Sequence, residues 1–248
     1  MVLYAGQGDP QRTLALLWRG IAADSARTSR GPKPALTVDA IVDAAITVAD
    51  ESGLDGLSMR AVGERLGRTA MSLYTYVPTK RELIDLMYDQ AHAEISAPAR
   101  SPGDWRAEVE SWAGELQTCY LRHPWLLQVS HARPVLGPHE QAVLESILRA
   151  LDPAGLPPAG LRAVVSSLFS LVRGSARSIA EARSAATTTG TTDQEWWTTR
   201  ARLMRELVPD FADRFPLSVR LSCEQVTDWE QAARDAFCDG LAILLKGV

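Results

Sequence analysis

Asparagine is absent from the 248 residues, and lysine occurs only at Lys33, Lys80 and Lys246. That bias points to GC-rich coding and carries no functional weight. Cysteine is scarce as well. Cys119, Cys223 and Cys238 are odd in number and widely spaced, which excludes a disulfide framework or a zinc site and leaves the reading of buried, isolated thiols. The four histidines, His92, His123, His131 and His139, never stand at a spacing that puts two imidazoles on one helix face, so no metal is expected. A phosphate-cradling glycine loop is missing, and Gly174-Ser175-Ala176 lacks the elbow of a serine nucleophile. No catalysis and no cofactor are expected. No apolar run approaches the roughly 18 residues of a membrane span, and the N-terminus has neither a basic nor an apolar leader region. A cytoplasmic protein without a membrane partner follows.

What is present is an ordinary globular composition, 46% apolar and 23% charged. The net charge of -4 argues at first against a nucleic-acid partner. Its distribution changes that, because Arg27, Arg30 and Lys33 stand together without an acid, whereas residues 81–248 hold five more acids than bases. The spacing of Leu14, Leu17, Trp18 and Ile21 predicts an amphipathic helix over 11–26, which needs a surface: the body of the protein, or DNA. Ser29 to Pro34 reads as an extended basic arm. From Thr37 onward the periodicity is helical, which predicts an all-α fold: an N-terminal helix and arm (1–34), a three-helix helix-turn-helix domain (35–82), and a larger helical bundle (83–248). Within the bundle the Gly and Pro breaks predict helices near 104–123, 124–131, 138–151, 158–186, 193–208 and 225–246. A threonine-rich spacer covers 187–192, and Thr227 with Glu230 reads as a capping box for the last helix.

Thr37 to Glu82 is the informative stretch. Thr37 caps a first helix that Gly53 stops, Ser58 caps a second that Gly67 ends, and a third runs from Ala70 to Tyr76 before Pro78. Thr79 and Glu82 read as a capping box that opens a fourth. On the third helix Leu73 and Val77 face a core, together with Leu66, while Arg68, Met71, Ser72 and Thr75 spread over an acid-free arc of the kind that presses against base edges. Ser72 and Thr75 suit base hydrogen bonds, Met71 a thymine methyl, and Tyr74, Tyr76 and Lys80 the phosphates that fix register. Arg60 sits in the first turn of the second helix, placed for a phosphate or a flanking base.

Ala44-Ala45, Asp50-Glu51-Ser52-Gly53-Leu54, Leu57 to Val62, Leu66-Gly67 and Met71 to Leu83 resemble the DNA-binding domain of the TetR family of repressors. The resemblance implies a homodimer on a palindromic double-stranded operator, with a small-molecule effector in the C-terminal bundle that relieves repression. It places DNA contacts on Arg60, Thr69, Ala70, Met71, Ser72, Tyr74, Thr75, Tyr76 and Lys80. Ala70 offers no hydrogen bond, which makes base reading sparse, and Val77 stands where phenylalanine is common in the family.

The bundle resembles the tetracycline-repressor type through His123-Pro124-Trp125-Leu126, Arg133-Pro134 and Gly137-Pro138. The histidine that helps hold magnesium-tetracycline in that subgroup aligns with Val129, which argues for another, largely apolar effector. Trp112, Leu116, Trp125, His131, Phe169 and Arg173 are the candidate effector contacts, with Arg173 meeting either an acidic ligand group or a structural partner such as Glu145 or Glu181. Helices near 158–186 and 225–246 are the candidate dimer seam, with Phe237, Leu241 and Leu244 on it. Two other readings remain: an architectural DNA-binding factor with a filled bundle, and a helical enzyme or carrier with a vestigial helix-turn-helix.

Overall fold

A computed structural model describes residues 3–20, 36–95, 103–130, 132–221 and 228–248. The basic arm and its Arg27, Arg30 and Lys33 lie outside these residues, as do Cys223 and Thr227. The described chain is all-α apart from one two-stranded parallel pairing, Leu3–Tyr4 (β1) with Val129–Ser130 (β2). Twelve α-helices are described: α1 Pro10–Leu17, α2 Val38–Gly56, α3 Met59–Leu66, α4 Ala70–Tyr74, α5 Lys80–His92, α6 Trp105–Arg122, α7 Pro138–Leu151, α8 Pro158–Thr189, α9 Asp193–Leu207, α10 Phe211–Arg214, α11 Pro216–Leu221 and α12 Trp229–Lys246. None is long and apolar enough to cross a membrane.

Helix starts follow local chemistry. Thr37, Ser58, Thr69, Thr79 and Asp104 each accept a hydrogen bond from the backbone N–H three residues on, satisfying a donor the helix itself leaves free. Gly67 ends α3 in the left-handed conformation, φ 63° and ψ 35°, where a side chain would be strained. Gly53 also has positive φ, but its ψ of 178° kinks α2 rather than ending it, and one more turn runs to Gly56.

Several expectations are corrected. Only half of the Thr79–Glu82 capping box forms, because the Glu82 carboxylate is buried and turned toward Arg12, 3.8 Å away. The described part of the region 124–131, residues 124–130, is a 3-10 turn, Pro124–Gln128, followed by β2, not an α-helix. Thr187 to Thr189 extend α8, since nothing before Gly190 breaks the backbone pattern. The last helix is capped by Asp228, whose carboxylate accepts from the Gln231 N–H, while Glu230 pairs with Arg183 and Arg234 instead of capping. Cys119 is buried, with its thiol pushed up to about 12 by that burial, but Cys238 is exposed.

The chain divides into two compact units, residues 1–173 with Val248, and residues 174–247; α8 contributes to both. The first unit holds the helix-turn-helix, with α2 packed on α3 and α5, and α5 packed in turn on α7. Ile41, Val62, Leu73, Val77, Leu83 and Met87 fill the core around the helix-turn-helix. The second unit buries Ala176 and Ile179 of α8 and Phe237, Leu241 and Leu245 of α12.

The described part of the N-terminal helix docks on the protein. Its Thr13 and Leu17 face inward while Leu14 is exposed, and residues 21–26 of the expected helix lie outside the described residues. The segment before it is held by backbone as well, since β1 pairs with β2 and the Gly6 N–H donates to both carboxylate oxygens of Asp85 at 3.1 and 3.2 Å. Trp18 Nε1 donates to the Leu136 carbonyl at 2.9 Å, and Arg19 pairs with Asp39 of α2. Leu136 is the non-glycine residue with positive φ among the described residues, and its N–H is held by Glu140 at 2.7 Å.

Candidate nucleic-acid interface and effector cavity

The helix-turn-helix displays α4 because Leu73 and Val77 anchor it completely, leaving the other side of a five-residue helix to solvent. Met71 is 75% and Tyr74 42% exposed, and Arg60, Arg68, Thr69 and Thr75 are exposed as well. Ala70, Ser72, Tyr76 and Lys80 are half-buried, and so is Leu66, which does not enter the core fully. Between Glu64 and Glu82 there is no acid, against Arg65, Arg68, Lys80 and Arg81, so the local potential is positive although the whole chain is acidic.

The exposed groups are not equally available. Ser72 Oγ donates to the Thr69 carbonyl at 2.7 Å and Thr69 Oγ1 caps the Ser72 N–H, so both hydroxyls are engaged in starting α4. Arg60 pairs with Glu64 one turn on, and Arg65 with Glu51. Lys80 Nζ donates to the Leu54 carbonyl at 3.1 Å, which ties the start of α5 to the end of α2 and takes one of its three donors. Arg68 and Arg81 are exposed with no carboxylate paired to them among the described residues. Arg81 was not legible as a candidate: its place beside Lys80 says nothing about which of the two points outward.

A cavity of about 250 Å³ lies in the same unit, open on one side, between α5, α6, α7 and the first half of α8. Of the six sequence candidates, Phe169 and Arg173 line it. Trp112 stands behind Phe169, edge-on at 5.1 Å, with its indole N–H on the Val143 carbonyl. Leu116 is core. Trp125 is core too, and its indole donates to Asp50 of α2 at 2.8 Å. His131 lies outside the described residues. The lining that sequence reading missed includes Tyr88, His92, Tyr120 and Glu140. Tyr88 and His92 sit four residues apart on α5, a spacing equally compatible with plain core.

Burial dominates the chemistry of this lining. It lowers the His92 pKa to about 4, so the ring is neutral near pH 7, and its Nδ1 meets the Tyr88 carbonyl at 2.7 Å. Burial also raises Tyr88, Tyr120 and Glu140. Arg173 makes neither of the carboxylate pairs expected of it, since Glu145 pairs with Arg149 and Glu181 with Arg177. It binds carbonyls of the Leu126–Val129 segment instead and lies 5.7 Å over the Tyr120 ring. Val129 is buried in β2, and among the described residues no cluster suits a metal ion.

On the expected seam, Phe237 and Leu241 are buried within the chain and Leu244 is half-buried. These two residues serve the unit's own core because 237, 241 and 245 share its inner face. Ile243, 67% exposed, is the apolar residue that α12 offers outward.

Two sequence families match this chain: "Bacterial regulatory proteins, tetR family" over residues 41–87, and "Tetracyclin repressor-like, C-terminal domain" over residues 97–248. An HTH-type transcriptional repressor, DrrR1 of Streptomyces coeruleorubidus, is 42% identical over 219 residues, 88% of this chain and 79% of that protein. Among solved structures, ActR of Streptomyces coelicolor in complex with actinorhodin has a TM-score of 0.68 at 27% identity, covering 87% of this chain and 95% of that one. BioQ with its double-stranded DNA operator, at 21% identity and a TM-score of 0.50, shares the fold.

Proposed function

The chain belongs to the TetR family of transcriptional regulators, and on that premise we propose that it is a homodimeric repressor, released from a palindromic operator by a small molecule bound in the cavity of residues 88–173. It is a DNA-binding protein and not an enzyme. In this proposal residues 35–82 read the operator, residues 83–248 bind effector and dimerise, and residues 1–34 support both; the protein works in the cytoplasm, where its operator is.

The observation that carries the DNA reading is the acid-free, exposed side of α4, rigidly seated by Leu73 and Val77. Arg68, Arg81, Tyr74 and Tyr76 are the proposed phosphate contacts, and Met71 and Thr75 the proposed base contacts. The cavity favours a ligand-gated protein over an architectural factor with a filled bundle, and actinorhodin bound to ActR is a precedent for an effector in this fold. A bonded route supports the gating. Arg173 in the cavity wall grips the carbonyls of Leu126, Leu127 and Val129, and just before them His123 and Trp125 both bond Asp50 of α2, at 2.8 Å each. A ligand that prefers one position of this segment shifts DNA affinity, because the two equilibria are linked. Homodimerisation is supported by the apolar surface of residues 174–247, where Trp197, Met204, Leu207, Leu217, Leu221 and Ile243 are exposed.

Selecting bound duplexes from a random pool, then screening compounds for release of the selected DNA, tests the proposal. A two-fold symmetric site and at least one releasing compound are expected. Purified protein that prefers no duplex at modest ionic strength overturns it.

A further inference from the structure

The two terminal nitrogens of Arg173 are in different circumstances. Nη2 donates to the carbonyls of Leu126, Leu127 and Val129 at 3.3, 2.8 and 2.6 Å. Nη1 is buried and makes no hydrogen bond of normal geometry, although the guanidinium interacts with the Tyr120 hydroxyl and lowers its pKa against the effect of burial. Backbone carbonyls carry no net charge, and no carboxylate pairs with this guanidinium among the described residues. A sequestered cationic donor without a partner is costly, which makes the unfilled position an anion site in waiting.

The other polar groups of the wall do not supply the missing charge. Glu140 also lines the cavity; its carboxylate accepts from the Leu136 N–H at 2.7 Å and makes no ion pair with Arg173. His92 is neutral, so it adds no second cation, and burial raises both tyrosines, which keeps Tyr88 and Tyr120 as protonated phenols. Arg173 is thus the one cation of the described lining, and no carboxylate is paired with it. Its remaining surface is mostly ring and aliphatic: Phe169, held edge-on by Trp112, with Tyr88, Tyr120, Pro134 and Leu144. A second negative group would find no cation among the described lining residues.

We infer that the effector is a compact aromatic monoanion, whose carboxylate, phenolate or enolate oxygen takes the free Nη1 of Arg173 while its ring body lies against Phe169 and Tyr120. This rests on the reading of the cavity as the effector site. The guanidinium fits the role because it presents its donors in a fixed plane. A neutral isostere leaves that charge unanswered, so it binds less well at equal ring area.

Matched acid and amide pairs test the charge directly: benzoate and benzamide, 2-naphthoate and 2-naphthamide, 9-anthracenecarboxylate and its amide, each titrated calorimetrically into the full chain near neutral pH. For at least one ring size the acid is expected to bind about tenfold tighter than the amide or better. Arg173→Gln removes that preference, and Arg173→Lys keeps part of it. Because Arg173 also holds three carbonyls, the melting temperature of each variant is recorded; if the Gln variant does not fold, the wild-type pairs and the Lys variant decide. Equal affinity within every pair, a preference that survives Arg173→Gln, or no binding by any acid at about millimolar concentration overturns the inference. The effector-site reading fails separately, if Leu144→Trp, which narrows the cavity, leaves compound-driven release of operator DNA unchanged.

Discussion

Asp85 is a carboxylate on a helix, 2% exposed, and its pKa is raised to about 6, chiefly by burial and further by the neighbouring Glu82, against the bond from the Gly6 N–H. A carboxyl whose pKa is higher folded than unfolded holds its proton more tightly in the native state. Its contribution to stability is therefore full below about pH 4 and lost as pH rises through about 6. Asp85→Asn removes this titration while keeping an acceptor for Gly6. The variant's advantage in unfolding free energy over wild type is expected to be larger at pH 7.5 than at pH 4.5, by about 2 kcal/mol; a constant difference across that range would refute the assignment. On the DNA side, Arg68→Ala and Arg81→Ala are each expected to weaken all duplexes alike and to flatten the salt dependence of log K by about one unit. Met71→Ala is expected to change which sequences are preferred. The exposure of Tyr74, Met71 and Arg68 was legible because a wheel through Leu73 and Val77 fixes what lies opposite. Lys80 and Ser72 were misjudged in availability, since a bond to Leu54 twenty-six residues back, or to the Thr69 carbonyl inside the same turn, leaves no trace in periodicity.

Elements whose boundaries depend on neighbouring residues were the readable ones. Thr37, Ser58 and Gly67 act within four positions, so α2 and α3 started, and α3 stopped, where these residues dictate. The N-terminal strap was not readable in that way, because its partners lie far along the chain: β1 pairs with β2, Gly6 meets Asp85, and Trp18 meets Leu136. These bonds grip the α5 helix and the loop before α7 together. Removing residues 1–20 exposes Asp85, Glu82 and the edge of β2 at once, and is expected to lower the melting temperature by several degrees, with faster amide exchange in 129–140. Unchanged exchange there would show the strap to be passive. The same loop carries a tighter constraint at Gly137, where an added Cβ would collide with the Asp89 side chain. Asp89 also accepts from the His139 and Glu140 N–H groups at 3.0 and 2.9 Å, stabilising the start of α7. Gly137→Ala must displace that carboxylate, and chemical denaturation is expected to show a loss of about 1–3 kcal/mol.

For the molecule as a whole, all-helical architecture followed from the 3.6-residue period, while the assignment of faces in residues 174–247 did not. An apolar helix face reads the same whether it meets its own chain or a second one. Phe237 and Leu241 illustrate this: they are inner residues, and the outward apolar group on α12 is Ile243. The distinction has opposite experimental signatures. Phe237→Ala opens a hole in one chain's own core, so it is expected to cost about 3–5 kcal/mol of stability. Ile243→Asp leaves that core intact and places a charge on the surface proposed to meet a second copy. It is expected to retain helical content by circular dichroism while sedimenting as a monomer at micromolar concentration. A monomer engages one half-site at a time instead of two spaced about 34 Å apart. Losing that second, effectively intramolecular contact is expected to reduce operator affinity by about 10²–10⁴-fold, with half-site preference unchanged. An Ile243→Asp protein that remains dimeric and binds normally would move the interface to another of the exposed apolar residues, Trp197, Met204, Leu207, Leu217 or Leu221.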